Sequence, residues 1–128
     1  MEMTSNRPYL LRALNDWIID NGMTPHILVN ADFPGSELPL QFVQDGKIVL
    51  NISPTAVHGL SLGADEIVFS ARFSGRPFTI RIPVGAVMAI YAGENGKGMV
   101  FPEDEKTMED KKAGAEPVTR KLELKVVK

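Results

Sequence analysis

At 128 residues the chain has room for one domain with a useful core and little left for a second. Its 44% hydrophobic and 23% charged residues are those of an ordinary soluble protein. A formal net charge of -2 lacks the basic excess of a nucleic-acid binder. The absence of cysteine removes disulfides, thiol nucleophiles and cysteine-ligated zinc, and is compatible with a reducing cytosol.

The opening "MEMTSNRPYLLRALNDW" has charges breaking its apolar stretch and no signal-peptide layout. No apolar run in the chain is long enough to span a bilayer, so the expected location is cytoplasmic. In "SNRPYLLRALNDWIIDNG", Ser5 or Asn6 can cap a helix, Pro8 suits its first turn, and Gly22 can end it in a left-handed conformation. Leu10, Leu14, Trp17 and Ile18 then share one face, widened by Leu11 and Ile19. A stripe this wide exceeds what one small sheet covers. The helix packs on its own domain, and Tyr9, Leu10, Leu11 and Leu14 are candidates for a twofold interface with a second copy.

From Thr24 onward the period becomes two. Leu38, Leu40 and Phe42 alternate before "QDGK", and Ile48, Leu50 and Ile52 alternate after it, with Asp45 and Gly46 as the hairpin signal. Pro39 lacks a donor, so its strand is expected at an edge or interrupted there. "EIVFSARF" and "FTIRIP", joined by "SGRP", form a second hairpin, with Ile67, Phe69, Ala71 and Phe73 facing the same way as Phe78, Ile80 and Ile82. "VGAVMAIYA" reads as a short buried helix, "GENGKG" as a turn and "MVF" as one more strand. The expected fold is mainly β with an N-terminal helix, as two small packed sheets or a partly open barrel.

After Phe101 the character changes. "PEDEKTMEDKKAGAEPVTR" is charged and almost devoid of large apolar side chains, so disorder is its expected state, followed by the strand-like "KLELKVVK". An apolar octet placed after such a leash has the layout of a docking peptide.

No pattern of catalytic or metal-binding residues emerges. His26 stands beside a strand start and His58 in a loop, neither with ligand spacing. The acidic residues gather in turns and tail, where they stay solvated. "GENGKGM" fails as a phosphate loop, with Tyr91 and Gly98 where glycine and a hydroxyl residue are needed. The serines fit no nucleophile elbow. Neither a catalytic residue nor a cofactor is expected. Ala71, small among Ile67, Phe69 and Phe73, leaves room either for a neighbouring core side chain or for a ligand backbone.

Several phrases together, "RPYLLRALNDWIIDNGMTPHILV", "DGKIVLNISPTAV", "FSARFSGRP", "AIYAGENGKGMVF" and the terminal "LKVVK", resemble the stringent starvation protein B family, adaptors that deliver ssrA-tagged polypeptides to the ClpXP protease. The similarity runs from Arg7 to Phe101 and resumes at the last residues. The resemblance implies a homodimer joined at the N-terminal helix and a groove on each subunit for the ssrA tag, carried by Ala71 with Val49, Phe69, Met99 and Phe101. It also implies a tail motif that docks on the N-terminal zinc-binding domain of ClpX. That motif falls on Leu124, Val126 and Val127 as apolar anchors and Lys125 and Lys128 as charged contacts, with Lys125 where the family pattern has arginine. The implied layout is a tag-binding and dimerisation domain over 1–101, a flexible linker over 102–121 and a docking motif over 122–128.

The main rival is a small RNA-binding β-barrel, in which Lys47, Arg72, Arg76 and Arg81 form a basic strip. The acidic balance disfavours nucleic acid while leaving ribosome association open. A structural subunit, with the terminal octet folded as an edge strand, is the third reading.

Overall fold

Local signals set both ends of the N-terminal helix. The structure, a computed structural model, describes residues 3–102. In it α1 spans Arg7–Asp20, with Asn6 at the cap position and proline in the first turn. The Ser5 hydroxyl accepts a hydrogen bond from the Arg7 N–H at 3.0 Å and so satisfies one of the donors a helix start leaves open. At the other end Gly22 (φ +72°) donates to the Ile19 carbonyl at 2.9 Å and Met23 to the Ile18 carbonyl at 3.0 Å. This paired closure depends on a residue that tolerates positive φ.

The helix buries Arg7, Pro8, Leu11, Asn15 and Ile18. That seam is offset from the expected one. Leu11, read as free for a second copy, is 1% exposed and belongs to the protomer's own core, while Trp17, read as core-facing, is 47% exposed. Arg7 shares the buried seam: its guanidinium donates to the carbonyls of Gly85 (3.2 Å), Val87 (3.3 Å) and Pro102 (2.5 Å) and stands 5.3 Å from the centre of the Phe101 ring.

Seven strands follow: β1 Pro25–Asn30, β2 Lys47–Asn51, β3 Val57–Leu62, β4 Glu66–Phe73, β5 Arg76–Pro83, β6 Val87–Ala92 and β7 Gly98–Val100. They form two antiparallel sheets, ordered β2-β1-β6-β7 and β3-β4-β5. The fold is mainly β with one N-terminal helix, as expected. No helix among the described residues is long and apolar enough to cross a membrane.

The β4–β5 hairpin follows its sequence closely. Ser74 and Gly75 take the positive φ values (56° and 80°) that a two-residue turn requires. The register then sets Phe69 opposite Ile80 and Ile67 opposite Ile82. These four side chains are at most 2% exposed. With Ile27, Val29, Leu50 and Ile90 of the first sheet they make the core, each such side chain contributing about 1.5–3 kcal/mol by leaving water.

Three expectations fail for physical reasons. "VGAVMAIYA" is a 3-10 turn (Val84–Ala86) followed by strand β6 instead of a helix. β6 lies between β1 and β7 and packs on α1, so the alternation that marks a half-exposed strand disappears. "VHGLSL" forms β3, which places His58 in a strand. Its signal was masked by polar and small residues and by an irregularity between His58 and Ser61 that includes Gly59 (φ +66°). The segment from Leu38 to Phe42 does not pair with β2 at all. It forms a 3-10 turn over Leu40–Phe42 that leaves Leu40 74% exposed. The Asp45-Gly46 turn exists, with φ 54° and 75°, yet the ladder above it has one rung, between Gln44 and Lys47.

β2 and β3 are consecutive in sequence and lie in different sheets. Between them Ser53 anchors a corner, its carbonyl accepting from Ala56 (2.9 Å) and Val57 (3.1 Å) and its own N–H donating to the Asn51 side chain at 2.9 Å. The two sheets part at this corner.

Candidate functional site

Where the sheets part, strand edges lose their neighbours. The ladder between β3 and β4 begins with Val57 opposite Ala71, so Arg72 and Phe73 extend past it with partners on β5 alone. β2 is an edge strand of the first sheet, with β1 on one side and, among the described residues, the single Gln44–Lys47 rung on the other. Between β2 and the end of β4 lies a trough of about 380 Å³ lined by Leu28, Phe42, Gln44, Lys47, Ile48, Val49 and Phe73.

Its walls are apolar and open. Val49 is 49% and Phe42 40% exposed, large values for side chains of these types. The rings of Phe42 and Phe73 meet at 5.4 Å and 45°, and Phe73 in turn meets Phe78 edge-on at 6.2 Å. Ala71 lies two residues before Phe73 on the same face of β4 and opposite Phe78, so a methyl group stands where a larger side chain would press on the aromatic cluster. Lys47 supplies the one charged group of the lining.

Of the residues the sequence assigned to a groove, the structure brings Val49 into the trough, while Ala71 is buried two residues before the lining residue Phe73 and does not itself line it. Phe69, at 2% exposure, belongs to the core between the sheets and does not line the trough. Met99 and Phe101 lie elsewhere. β7 is the far edge of the first sheet, three strand spacings or about 14 Å from β2, and Phe101 follows it, buried beneath the Arg7 guanidinium. Phe101 lines a different cavity of about 340 Å³, together with Phe33 and Met88. Leu28, Phe42, Gln44, Lys47, Ile48 and Phe73 were missed as lining. Phe73 was legible as a face residue of β4, but its role depends on β3 stopping short, which no local pattern announces.

On α1, Tyr9 is 60% exposed and Leu10 and Leu14 are half-buried, leaving an apolar strip beside Trp17. The Arg12 guanidinium lies 5.0 Å from the Tyr9 ring while its Nε donates to the Leu62 carbonyl at 2.9 Å. Leu124, Lys125, Val126, Val127 and Lys128, expected to form a docking motif, and the segment before them lie outside the described residues.

The basic strip of the RNA-binding reading is broken. Arg81 donates to the Glu66 carboxylate at 2.9 Å and lies 4.0 Å from Glu37, and Arg72 turns back onto the Gly75 carbonyl at 3.1 Å. His26 stacks on Tyr91 at 5.8 Å, its Nδ1 3.1 Å from the Thr24 carbonyl oxygen. No cluster of three potential metal ligands occurs among the described residues.

One helix set against two small antiparallel sheets, with an apolar trough held open where the sheets part, defines the class: a small, mainly β domain built around an accessible groove. The chain belongs to the stringent starvation protein B family, whose family model matches residues 5–125. It is also similar to the stringent starvation protein B homolog of Haemophilus influenzae (strain ATCC 51907 / DSM 11121 / KW20 / Rd), with 50% identity over 99 residues. That alignment covers 77% of this chain and 66% of the relative, so the chain spans just under two thirds of the relative's length.

Proposed function

We propose that the protein is a cytoplasmic proteolysis adaptor that binds the ssrA degradation tag in the trough and tethers the tagged polypeptide to ClpX through its C-terminal segment. The observation that carries this reading is the trough itself. It is open, largely apolar and bordered by the edge strand β2, as a site for a foreign backbone needs to be. Membership of the stringent starvation protein B family is what supports the ssrA tag as the ligand and ClpX as the unfoldase in this reading.

The mechanism requires no bond chemistry from the adaptor. One site holds the tag, Leu124, Val126, Val127 and the flanking lysines hold the N-terminal zinc-binding domain of ClpX, and the linker turns the second encounter into an intramolecular one. About twenty flexible residues have a root-mean-square span of roughly 25 Å and an extended limit near ~70 Å, enough to bridge two globular partners. A homodimer joined along α1 carries two tails, so release of one leaves the other engaged. Tyr9, Leu10 and Leu14 are the surface for that pairing, with Leu11 stabilising the helix from beneath.

The test is degradation of an ssrA-tagged fluorescent substrate by ClpXP, with the full chain and with a chain lacking Leu122–Lys128. The full chain accelerates degradation at limiting substrate and the shortened one does not. Equal acceleration by both contradicts the tether.

A further inference from the structure

The two ends of the helix-and-sheet domain meet at one side chain. Arg7 opens α1, and Pro102 is the residue from which the C-terminal segment continues. The Arg7 guanidinium donates to the Pro102 carbonyl at 2.5 Å and, where β6 begins, to the carbonyls of Gly85 at 3.2 Å and Val87 at 3.3 Å. It also lies over the Phe101 ring. Arg7 is 3% and Phe101 6% exposed, so the junction is closed to water. Hydrogen bonds from a charged donor are roughly twice as strong as neutral ones. The planar fork holds carbonyls from two separate segments at once, a geometry that a lysine ammonium does not reproduce.

What Arg7 holds is otherwise lightly attached. β7 has three residues, lies at the edge of its sheet and pairs with β6 through Val100–Ala89, Met99–Ile90 and Gly98–Tyr91. Gly98 brings no side chain to the sheet, and Val100 is 46% exposed. Tension on the residues after Pro102 enters at the C-terminal end of β7 and would open these rungs one after another, starting at Val100. Before that, the Phe101 N–H must leave the Met88 carbonyl, which it meets at 2.8 Å, and the Phe101 ring and Pro102 carbonyl must leave Arg7.

We infer that Arg7 is a latch on the exit of the C-terminal segment, carrying tension from Pro102 and Phe101 into α1 and the start of β6 so that β7 does not unzip. α1 packs on β6, β1 and β3, so the load spreads to both sheets. An adaptor whose C-terminal segment is held by an unfoldase needs such a stop, because forced unfolding is governed by how fast the loaded element opens. This functional consequence rests on the tether proposed above; the latch itself does not.

The test is native-state hydrogen exchange on the full chain, reading the Phe101 amide against those of β1, a strand paired on both sides. In the wild-type chain Phe101 is protected although it follows an edge strand. Arg7→Met, which removes the fork, and Arg7→Lys, which keeps the charge, each speed exchange at Phe101 by about tenfold or more relative to β1. With ClpXP, ATP and an ssrA-tagged substrate, both variants bind the tag as the wild type does but are themselves degraded about fivefold faster or more. An unprotected Phe101 amide in the wild-type chain overturns the latch, and that reading stands even if neither variant folds. Exchange that rises equally at Phe101 and in β1 also overturns it, since Arg7 is then a general stabiliser. Selective release of Phe101 with unchanged degradation of the variants overturns the protective role. A wild-type chain that fails to accelerate degradation of the tagged substrate overturns the tether instead, and the exchange comparison still decides the latch.

Discussion

The Phe42 and Phe73 rings lie 5.4 Å apart although one comes from the turn that leaves the first sheet and the other from the last residue of β4. Their contact closes one end of the trough and fixes its width. Phe73→Ala removes a half-buried ring together with its contacts to Phe42 and Phe78. The expected cost is about 1–2 kcal/mol of folding stability, below the 3–5 kcal/mol of a fully buried phenylalanine. Tag-peptide affinity falls about tenfold, because the wall of the site is lost. Urea unfolding and peptide titration on the same preparation check the two effects.

Ala71 is the second lever on the site. Ala71→Gln drives a long polar side chain toward Phe73 and Phe78 from a position that is 8% exposed. Overpacking of this kind costs about 1–3 kcal/mol. The variant stays folded at moderate temperature and loses tag binding, while Ala71→Gly, which adds no bulk, retains most of it. Circular dichroism melts paired with anisotropy separate a blocked trough from an unfolded domain.

The helix offers a contrast between neighbours. Leu11→Ala hollows the protomer's own core and lowers stability by about 2–5 kcal/mol. Tyr9→Glu, at a residue 60% exposed, leaves the melting temperature of the isolated fold nearly unchanged and shifts the protein from dimer to monomer. Sedimentation velocity over a concentration series reads the assembly, and thermal unfolding reads the core.

Glu94 links the β6–β7 turn to the segment after α1. Its carboxylate accepts from the Thr24 hydroxyl at 2.6 Å and from the Thr24 N–H at 2.8 Å, and these bonds, the hydroxyl one foremost, hold its pKa below the ordinary glutamate value. A carboxylate with a depressed folded-state pKa contributes stability above the unfolded-state value of about 4.3 and loses it as pH falls through the folded-state value. The wild-type chain therefore loses more melting temperature than Glu94→Gln between neutral pH and pH values below about 4. The group is fully exposed, so the difference is small. Parallel melts across the pH series measure it.

The parts of the fold that were legible in the sequence are those where one local rule acts alone. Ser5, Asn6, Pro8 and Gly22 delimit α1, and the β4–β5 hairpin has both its alternation and its Ser74-Gly75 turn. β6 was illegible because burial on both sides removes the alternation, and β3 because an irregularity at Gly59 interrupts a polar strand. The site was harder for a related reason. A trough appears where a strand ends early and a hairpin fails to zip, and both events are decided by tertiary competition. Leu38 is 7% exposed and draws its segment into the core, while Pro39 cannot donate to a ladder, and together they strip β2 of the partner its pattern promised. Ala71 was singled out by its small size among large neighbours and Val49 came from the family resemblance, whereas Leu28, Phe42, Gln44, Lys47, Ile48 and Phe73 as trough lining required the fold.

The most direct measurement is fluorescence anisotropy of a labelled ssrA-tag peptide titrated with the full chain and with a chain lacking Leu122–Lys128. Saturable binding of equal affinity by both places the tag site in the helix-and-sheet domain and leaves the terminal segment free for the unfoldase, which is the predicted result. Absence of binding by both, or binding that disappears with the terminal segment, contradicts a tag site in the trough.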